Sequence, residues 1–567
     1  MFTGVRLDSR QLFWGLLFLL IGFRLLLLVQ YILQDPFARV LLLDARVYDS
    51  WARTIAQGDW WGKEVFYQAP LYPYFLALLY LIWGEDHLVV YVVQAVLSIG
   101  TALLFYQVGK AYFDRQTGRV AALLALGFGF YAFYSLKFLP TTLALFLVLL
   151  LLWQLRRSEQ HPTWSNWFLS GLLTGLATLV RPSLLLLVVL LLLWLLFVPA
   201  SWRLSFRYGS AFLVGVLLCI VPVAGRNFWI ERDLVLIAAN GGETFYQGTN
   251  PRAQGTYTPV PALSTHITEQ RVLGRQVAEE ALGRPLSRRE VSQYWWKQGF
   301  RYIREHPLSY LVLLGKKFYL ALSGKDVSLI YFARFEQERF LPLLRVFVVN
   351  QYLLLPFALT GLFSMRREHF WLLAFLGVQL FTLLLFYVST RYRLLLTPAI
   401  ILWAGKGLVD LPVLLRKPQV RVVLLAALLG ALASFVFDQR TPYARADQHH
   451  NLGIVYNTLG RYKEAIPELV TALRYRPSSP AILTNLGFAY YHLGKYRQAI
   501  QVWQQARRLA PASLPLAYNL AIAYEQVDQE QAIHHLRAYV QAAQSIATEQ
   551  RYVQEARQRL RRLEAKR

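Results

Sequence analysis

The chain has 567 residues, of which 56% are hydrophobic and 16% charged, and its mean hydropathy is +0.35. This composition is too apolar for a soluble protein of that length, so a large part of the chain is expected in lipid. The net charge of +26 would also suit nucleic acid, but the basic residues separate apolar runs, which favours membrane lipid over nucleic acid. The single cysteine, Cys219, excludes a disulfide framework and a thiolate metal site.

The first apolar run, residues 12–32, follows Arg6 and Arg10 as in a signal peptide. It is long enough to span a hydrocarbon core, for which about 20 residues are needed, and no small-residue cleavage site follows it. We therefore predict a retained first helix in an α-helical polytopic membrane protein. About eleven spans are expected, near residues 11–31, 88–109, 119–134, 138–155, 167–180, 183–199, 209–229, 341–363, 370–388, 394–412 and 422–438.

The distribution of basic residues predicts the orientation of these spans. A cytoplasmic N-terminus places fourteen basic residues of the N-terminal and short connecting segments inside, against four in the short outside turns, as the positive-inside rule requires. The predicted localisation is the cell or inner membrane, with the C-terminal end extracytoplasmic. The four basic residues in the short outside turns are Lys137, Arg181, Arg391 and Arg393.

Two long connecting segments of this membrane domain, predicted as residues 1–440, fall on the same outside face. The first long loop, residues 32–87, is rich in Trp and Tyr, which suits the membrane interface. The second long loop, residues 230–340, contains the turn-rich stretch NGGETFYQGTNPRAQGTY at 240–257. Water-soluble chemistry is therefore expected in these loops.

Residues 446–567 carry a 34-residue repeat, the tetratricopeptide signature, and predict an α-solenoid. We expect repeats at 446–479, 480–513 and 514–546, with a capping helix at 547–567. Docking of a protein acceptor and assembly with a partner both remain open. The repeated pairs are Leu452 and Leu486, Gly453 and Gly487, Tyr456 and Tyr490, Gly460 and Gly494, Tyr462 and Tyr496, Ala465 and Ala499, Ala472 and Ala506, and Pro477 and Pro511.

The stretch LLDARVYDSW in the first long loop holds two carboxylates, Asp44 and Asp49, about a turn and a half apart. On spacing alone a helix N-cap is the favoured interpretation of Asp44, with a catalytic base as the alternative.

An ordered set of motifs covers residues 10–410: Asp44 with Tyr48, PLYPYFLALLY at 70–80, GLLTGLATLVRPS at 171–183, the pair Arg226 and Asn227, the 240–257 stretch, and STRYRLLLTP at 389–398. This half of the chain resembles the C-type glycosyltransferase superfamily (GT-C fold), in particular bacterial relatives of protein O-mannosyltransferases and of the lipid A aminoarabinose transferase. The resemblance implies transfer of a sugar, with inversion, from a polyprenyl-phosphate carrier to an extracytoplasmic acceptor. It assigns the base to Asp44 only. Because Asp49 is close in the sequence, we keep it as a second candidate that could exchange roles with Asp44.

A polyprenyl-phosphate donor requires one base and cations for the phosphate, but no nucleotide-binding loop. A charged side chain at the hydrocarbon boundary costs free energy unless it is paired. One possible partner of these basic residues is the donor phosphate; the alternative is pairing with lipid head groups or with the loop carboxylates. The phosphate candidates are Lys137, Arg391, Arg393, Arg181 and Arg24. The candidates for contact with substrate in the loops are Tyr48, Tyr72, Asn240, Tyr246 and Asn250.

One departure from the relatives concerns a second acidic residue at the start of their fourth helix. The stretch YSLKFLPTTLALF carries Thr141 and Thr142 there, with Lys137 nearby. We therefore predict that no cofactor is required, and a metal ion is the disfavoured alternative. Two other functions remain open: an oligosaccharide ligase or polymerase that uses a pyrophosphate-linked donor, and a non-catalytic transporter or scaffold.

Overall fold

The structure, a computed structural model, describes residues 9–197, 201–258, 260, 267–438, 443–544 and 549–565. Within these ranges the secondary structure is helical apart from two isolated β-bridges. The predicted boundary at residue 440, residues 198–199 of the predicted span 183–199, and the start of the predicted capping segment at 547 lie outside the described residues. The chain divides into two units. The described part of the first unit ends at Asp438, and the second unit contains Leu329–Phe332 and the helices from Tyr443 onwards.

The first unit contains twenty α-helices among its described residues. They are α1 Ser9–Gln34, α2 Asp44–Ala56, α3 Leu71–Trp83, α4 His87–Tyr112, α5 Arg115–Gly127, α6 Gly129–Tyr134, α7 Thr141–Gln160, α8 Trp164–Val180, α9 Leu185–Phe197, α10 Trp202–Glu231, α11 Gly241–Gly248, α12 Ile267–Leu282, α13 Arg288–Glu305, α14 Pro307–Leu322, α15 Ala333–Arg339, α16 Gln351–Gly361, α17 Phe370–Leu385, α18 Thr390–Arg393, α19 Thr397–Leu414 and α20 Pro418–Asp438.

The predicted α-helical polytopic fold is confirmed, but the count of eleven spans is not. Seven segments of the described chain are long and apolar enough to cross a membrane: Arg10–Gln34, His87–Tyr112, Thr141–Gln160, Trp202–Glu231, Arg367–Leu385, Thr390–Leu414 and Pro418–Val436. At the four other predicted spans the helices α5, α8, α9 and α16 are shorter than the ~20 residues that a bilayer needs. The predicted span 119–134, for example, is interrupted at Phe128, which bridges to Val349.

Small residues allow α8 and α10 to pack closely. A Cβ atom on Gly171 would lie 2.0 Å from the carbonyl oxygen of Phe212, and one on Gly215 would lie 2.3 Å from that of Phe168. Close contact through glycine is a common way for helices to associate in lipid. The motif GLLTGLATLVRPS therefore owes its glycines to helix packing.

The Arg226 and Asn227 pair near the end of α10 fixes the first long loop. Arg226 Nε donates to the carbonyl oxygen of Trp61 at 2.7 Å, and Asn227 Oδ1 accepts from the Phe66 amide at 3.3 Å. Asn227 Nδ2 also donates to the carbonyl oxygen of Val235 at 3.0 Å. This pair thus joins both long loops and positions the residues that follow Phe66.

The second unit is the predicted stack of helix pairs. Glycine permits close packing within each pair: a Cβ atom on Gly453 would lie 2.6 Å from Leu469, and one on Gly487 would lie 2.3 Å from the Trp503 ring. The helices are α21 Tyr443–Thr458, α22 Tyr462–Tyr475, α23 Pro480–His492, α24 Tyr496–Leu509, α25 Leu514–Tyr524, α26 Gln529–Ala543 and α27 Gln550–Glu564.

Candidate active site

Asp44 is the first residue of α2, and it follows a strained residue. Leu43 has a φ of 45° and a ψ of −119°, a conformation that costs a non-glycine residue about 1–3 kcal/mol. Leu43 occupies the capping position and makes no side-chain capping bond, so the N-cap interpretation of Asp44 is wrong. The Asp44 carboxylate lies instead in the favourable field of the helix N-terminus.

The Asp44 carboxylate forms an ion pair with Arg391, which lies 347 positions later in the chain. Arg391 Nη1 donates to Asp44 Oδ2 at 2.5 Å, and each of the two side chains is 14% exposed. Arg391 Nη2 also donates to the hydroxyl oxygen of Tyr392 at 3.1 Å. The pair is therefore sheltered by the fold without being sealed from solvent.

A second guanidinium group, that of Arg181, lies beside this pair. Its Cζ atom is 5.0 Å from the centroid of the Tyr392 ring, and its Nη2 atom is 3.5 Å from the Thr141 hydroxyl oxygen. It interacts electrostatically with both Asp44 and Arg391, and its buried Nε atom has no hydrogen-bond partner. The structure thus brings together three of the predicted candidates.

Tyr48, one helical turn after Asp44, belongs to the same cluster. Burial, followed by the nearby charge of Asp44, raises the pKa of the Tyr48 hydroxyl. The Tyr48 ring meets the ring of Tyr72 edge-on, with 5.3 Å between the centroids. Tyr72 itself donates to Gln94 Oε1 at 2.9 Å. This bond fixes the Tyr72 ring against which Tyr48 packs.

Three further tyrosines close the cluster, and sequence reasoning did not single them out. Burial and then Asp44 raise the pKa of Tyr257 to about 12. The ring of Tyr387 lies 5.6 Å from that of Tyr257 and 5.8 Å from that of Tyr392, between centroids. Tyr387 lies two residues before the STRYR motif and Tyr392 lies within it, so the motif was the sequence signal that could have identified them.

The second long loop is fixed against the residues that lead to Arg391. A Cβ atom on Gly248 would lie 1.8 Å from the carbonyl oxygen of Phe386, so only glycine fits there. The Val388 amide donates to the carbonyl oxygen of Gly255 at 2.9 Å. The glycine-rich stretch at 240–257 is therefore built into one side of the site.

Asp49 lies in a separate network on the other side of α2. It accepts hydrogen bonds from Tyr80 at 2.5 Å and Arg53 at 2.9 Å, and it lies 3.2 Å from His87 Nε2. Burial disfavours the Asp49 carboxylate, but these three partners outweigh burial and lower its pKa to about 2. The expectation that Asp49 exchanges roles with Asp44 is thus not supported.

Lys137, a predicted phosphate ligand, is buried in an ion pair with Glu336. Both side chains are 0% exposed, and Tyr31 and Phe133 cover the ammonium group, with centroids 4.3 Å and 4.7 Å from Nζ. Asp35 lies close enough to interact electrostatically with both partners. The packing around Lys137 argues against contact with donor phosphate.

Arg393 and Arg24 donate hydrogen bonds within the fold. Arg393 donates to the carbonyl oxygens of Leu320 and Lys325 at 2.9 Å and 2.6 Å. Arg24 donates to the carbonyl oxygen of Leu126 at 2.8 Å and to the Ser98 hydroxyl at 2.7 Å. These bonds use several donors of each guanidinium group, and phosphate binding by Arg393 and Arg24 stays a prediction.

The remaining loop candidates shape the second long loop. The Asn240 carbonyl oxygen accepts a bond from the Thr244 hydroxyl at 2.8 Å, and the Tyr246 ring lies 5.1 Å from the Trp295 ring. The Asn250 side chain donates to the Tyr246 carbonyl oxygen at 2.8 Å. These contacts do not support a direct role in substrate binding for Asn240, Tyr246 or Asn250.

No cluster of three or more His, Cys, Asp or Glu side chains within the described residues is arranged to hold a metal ion. The partner of Asp44 is a guanidinium group, and Thr141 faces Arg181 at the position where relatives carry an acid.

Residues 67–229 match the family model described as dolichyl-phosphate-mannose-protein mannosyltransferase. Residues 453–494 and 480–513 match models of the TPR repeat and the tetratricopeptide repeat. No curated protein matches the sequence.

Solved structures give remote likenesses. ArnT from Cupriavidus metallidurans, bound to undecaprenyl phosphate, aligns at 15% identity over 86% of this chain and 80% of that chain, with a TM-score of 0.42. The oligosaccharyltransferase AglB from Archaeoglobus fulgidus, in complex with an inhibitory peptide and a dolichol-phosphate, aligns at 12% identity over 88% of this chain and 58% of that chain, with a TM-score of 0.40. The family matches confirm the predicted resemblance: residues 67–229 are similar to the dolichyl-phosphate-mannose-protein mannosyltransferases, and the C-terminal end carries tetratricopeptide repeats.

Proposed function

We propose that this protein transfers a sugar from a polyprenyl-phosphate-linked donor to an extracytoplasmic acceptor, with inversion. The observation that carries the proposal is the grouping of one carboxylate, Asp44, with two guanidinium groups, Arg391 and Arg181. These three groups together carry one excess positive charge, which the anionic phosphate of a donor neutralises. The match to mannosyltransferases that use a lipid-phosphate sugar supports the same donor class.

In the proposed reaction the acceptor hydroxyl oxygen attacks the anomeric carbon as the bond from that carbon to the phosphate oxygen breaks. Asp44 takes the hydroxyl proton, and the polyprenyl phosphate leaves with more negative charge than it carried in the donor. Arg391 and Arg181 stabilise this growing charge. Donor phosphate competes for Arg391, so its binding frees Asp44 to act as the base.

The donor site is tested by binding of undecaprenyl phosphate to purified protein. Arg391→Gln and Arg181→Gln are each expected to weaken binding by about 10- to 150-fold. This ratio corresponds to the free energy of one hydrogen bond to a charged group. Lys316→Gln is the matched control, because this exposed lysine contacts Gln254 and lies outside the cluster. Binding that is unchanged in both arginine variants would contradict the proposed donor site.

We propose, from the charge asymmetry of the short connecting segments, that the active site and the repeats lie on the extracytoplasmic side. A cysteine introduced at the exposed residue Gln498 is then expected to react with an impermeant thiol reagent in intact cells. The native Cys219 is buried and serves as the internal negative control. Labelling only after the inner face has been opened would reverse the orientation.

We further propose that the repeats bind a protein acceptor or the partner that delivers it, which raises its effective concentration near the enzyme. A variant that ends at Asp438 is then expected to hydrolyse donor slowly but to lose transfer to the native acceptor. Transfer at the full-length rate would show that the repeats serve another purpose, such as assembly.

A further inference from the structure

Four buried polar side chains beside the Asp44 site have an atom without a hydrogen-bond partner. The atoms are Glu243 Oε2, Gln247 Nε2, Thr249 Oγ1 and the Tyr67 hydroxyl oxygen. The exposed fractions of these residues are 1%, 2%, 0% and 8%, respectively. Because buried polar groups are nearly always paired, such a concentration requires an explanation. We call these four residues the unpaired polar set.

The fold gathers the unpaired polar set in one place. Glu243 and Gln247 are one turn apart and share a face of α11, and Thr249 directly follows that helix. Tyr67, from the first long loop, lies close enough to interact with the charge of Glu243. Gly242 and Gly248 press α11 against neighbouring backbone at both ends, so its position is fixed.

Tyr257 links this set to the catalytic cluster. The Tyr257 hydroxyl interacts electrostatically with Tyr67 on one side and with Asp44 on the other. Gly248, the neighbour of Thr249, packs against the backbone of Phe386 and Tyr387, so the unpaired polar set adjoins the cluster that contains Asp44.

The functional groups of the unpaired polar set suit some ligands better than others. A carboxyl group repels phosphate, so the set is unsuited to the anionic part of the donor. A carboxyl oxygen, an amide nitrogen and two hydroxyl groups match a ligand with several hydroxyl groups, since each hydroxyl both donates and accepts. Sugar rings have this property.

We propose that Glu243, Gln247, Thr249 and Tyr67 bind the hydroxyl groups of the transferred sugar and determine which sugar is accepted. This inference rests on the proposed function, because it assumes a sugar attached to a lipid phosphate.

The test compares binding of undecaprenyl phosphate with binding of undecaprenyl phosphates that carry mannose, glucose or galactose. For the sugar that the wild type binds best, Thr249→Val is expected to weaken binding about 2- to 12-fold and Glu243→Gln about 10- to 150-fold. Binding of undecaprenyl phosphate itself is expected to stay unchanged. Because the Thr249 hydroxyl has no partner in the protein, Thr249→Val is also expected to keep or raise the melting temperature of the ligand-free enzyme.

The matched control is Thr174→Val, which removes an equally buried hydroxyl that is already bonded to the Ser170 carbonyl oxygen at 2.7 Å. It is expected to leave binding of every carrier unchanged. Equal weakening of sugar-bearing and sugar-free carriers in the Thr249 and Glu243 variants would overturn the proposal. So would no weakening at all, or an effect confined to the KM for the acceptor. If the wild type binds no carrier of this class, the proposed function fails and this subsite fails with it.

Discussion

Two buried or nearly buried pairs of a cation and a carboxylate lie in the first unit, and their surroundings differ. Asp44 and Arg391 are each 14% exposed and have a second cation, Arg181, beside them. Lys137 and Glu336 are fully buried, and the group beside them is a second carboxylate, Asp35. The first pair has a spare cation and access to ligand, whereas the second shares one ammonium group between two buried carboxyl groups and has no such access.

This difference indicates what each pair does. In the proposed function, the accessible pair with its spare cation binds the donor phosphate, which releases Asp44 to act as the base. A sealed pair under aromatic rings holds two parts of the chain together, since breaking it leaves a buried charge without compensation. Sequence position does not distinguish them, because Arg391 and Lys137 both stand at the edges of apolar runs.

The largest expected effect is on the sealed pair. Lys137→Gln removes the cation between Glu336 and Asp35 and is expected to lower the free energy of unfolding by about 3–5 kcal/mol. Thermal unfolding of the purified protein in detergent measures this loss. The double variant Lys137→Met, Glu336→Leu is expected to recover most of the stability, because no charge of the pair remains buried. A stable Lys137→Gln protein with weakened donor binding would instead move the phosphate site to Lys137.

Glu243 sharpens the comparison, because it is a buried acid without an ion-pair partner. Burial raises its pKa to about 7 from a usual value of 4.5, and the charge of Arg288 opposes the rise only in part. A raised carboxyl pKa stabilises the fold below about pH 4.5, and that stability is lost as the pH rises through about 7. The loss is on the order of 3 kcal/mol. Thermal unfolding against pH should show it, and Glu243→Gln should abolish this dependence.

The smallest expected effect concerns the strained backbone before Asp44. Leu43→Gly and Leu43→Ala both remove the side chain, but only glycine relieves the positive φ. The glycine variant is therefore expected to be more stable than the alanine variant by about 1 kcal/mol. Equal unfolding temperatures for the two variants would show that this conformation stores no strain.

Much of the fold could be predicted from local patterns. The first helix follows from one apolar run, and the helix pairs follow from small residues such as Gly453 and Gly487 repeating at a fixed interval. The number of membrane spans could not be predicted in this way. Phe128 ends a helix inside a continuous apolar run because it contacts Val349, which lies 221 positions later (349 − 128).

The site could be predicted only in part. Asp44 and Arg391 were identified by resemblance and by charge placement, but their contact spans 347 positions and no spacing rule implies it. Lys137 has the same local signal as Arg391, and its partner Glu336 lies 199 positions away. Tertiary contacts therefore decide which of the basic residues is available to a phosphate.

The central claim is that Asp44 is the base, and the pair Asp44→Asn and Asp49→Asn tests it most directly. Both variants exchange a loop carboxylate for an amide of the same shape, but only Asp44 lies beside Arg391 and Arg181. Single-turnover transfer from a bound undecaprenyl-phosphate sugar is expected to fall by about 10²- to 10⁴-fold in Asp44→Asn. Asp49→Asn is expected to keep most of its activity per folded molecule. Wild-type turnover in Asp44→Asn, or the larger loss in Asp49→Asn, would contradict this account.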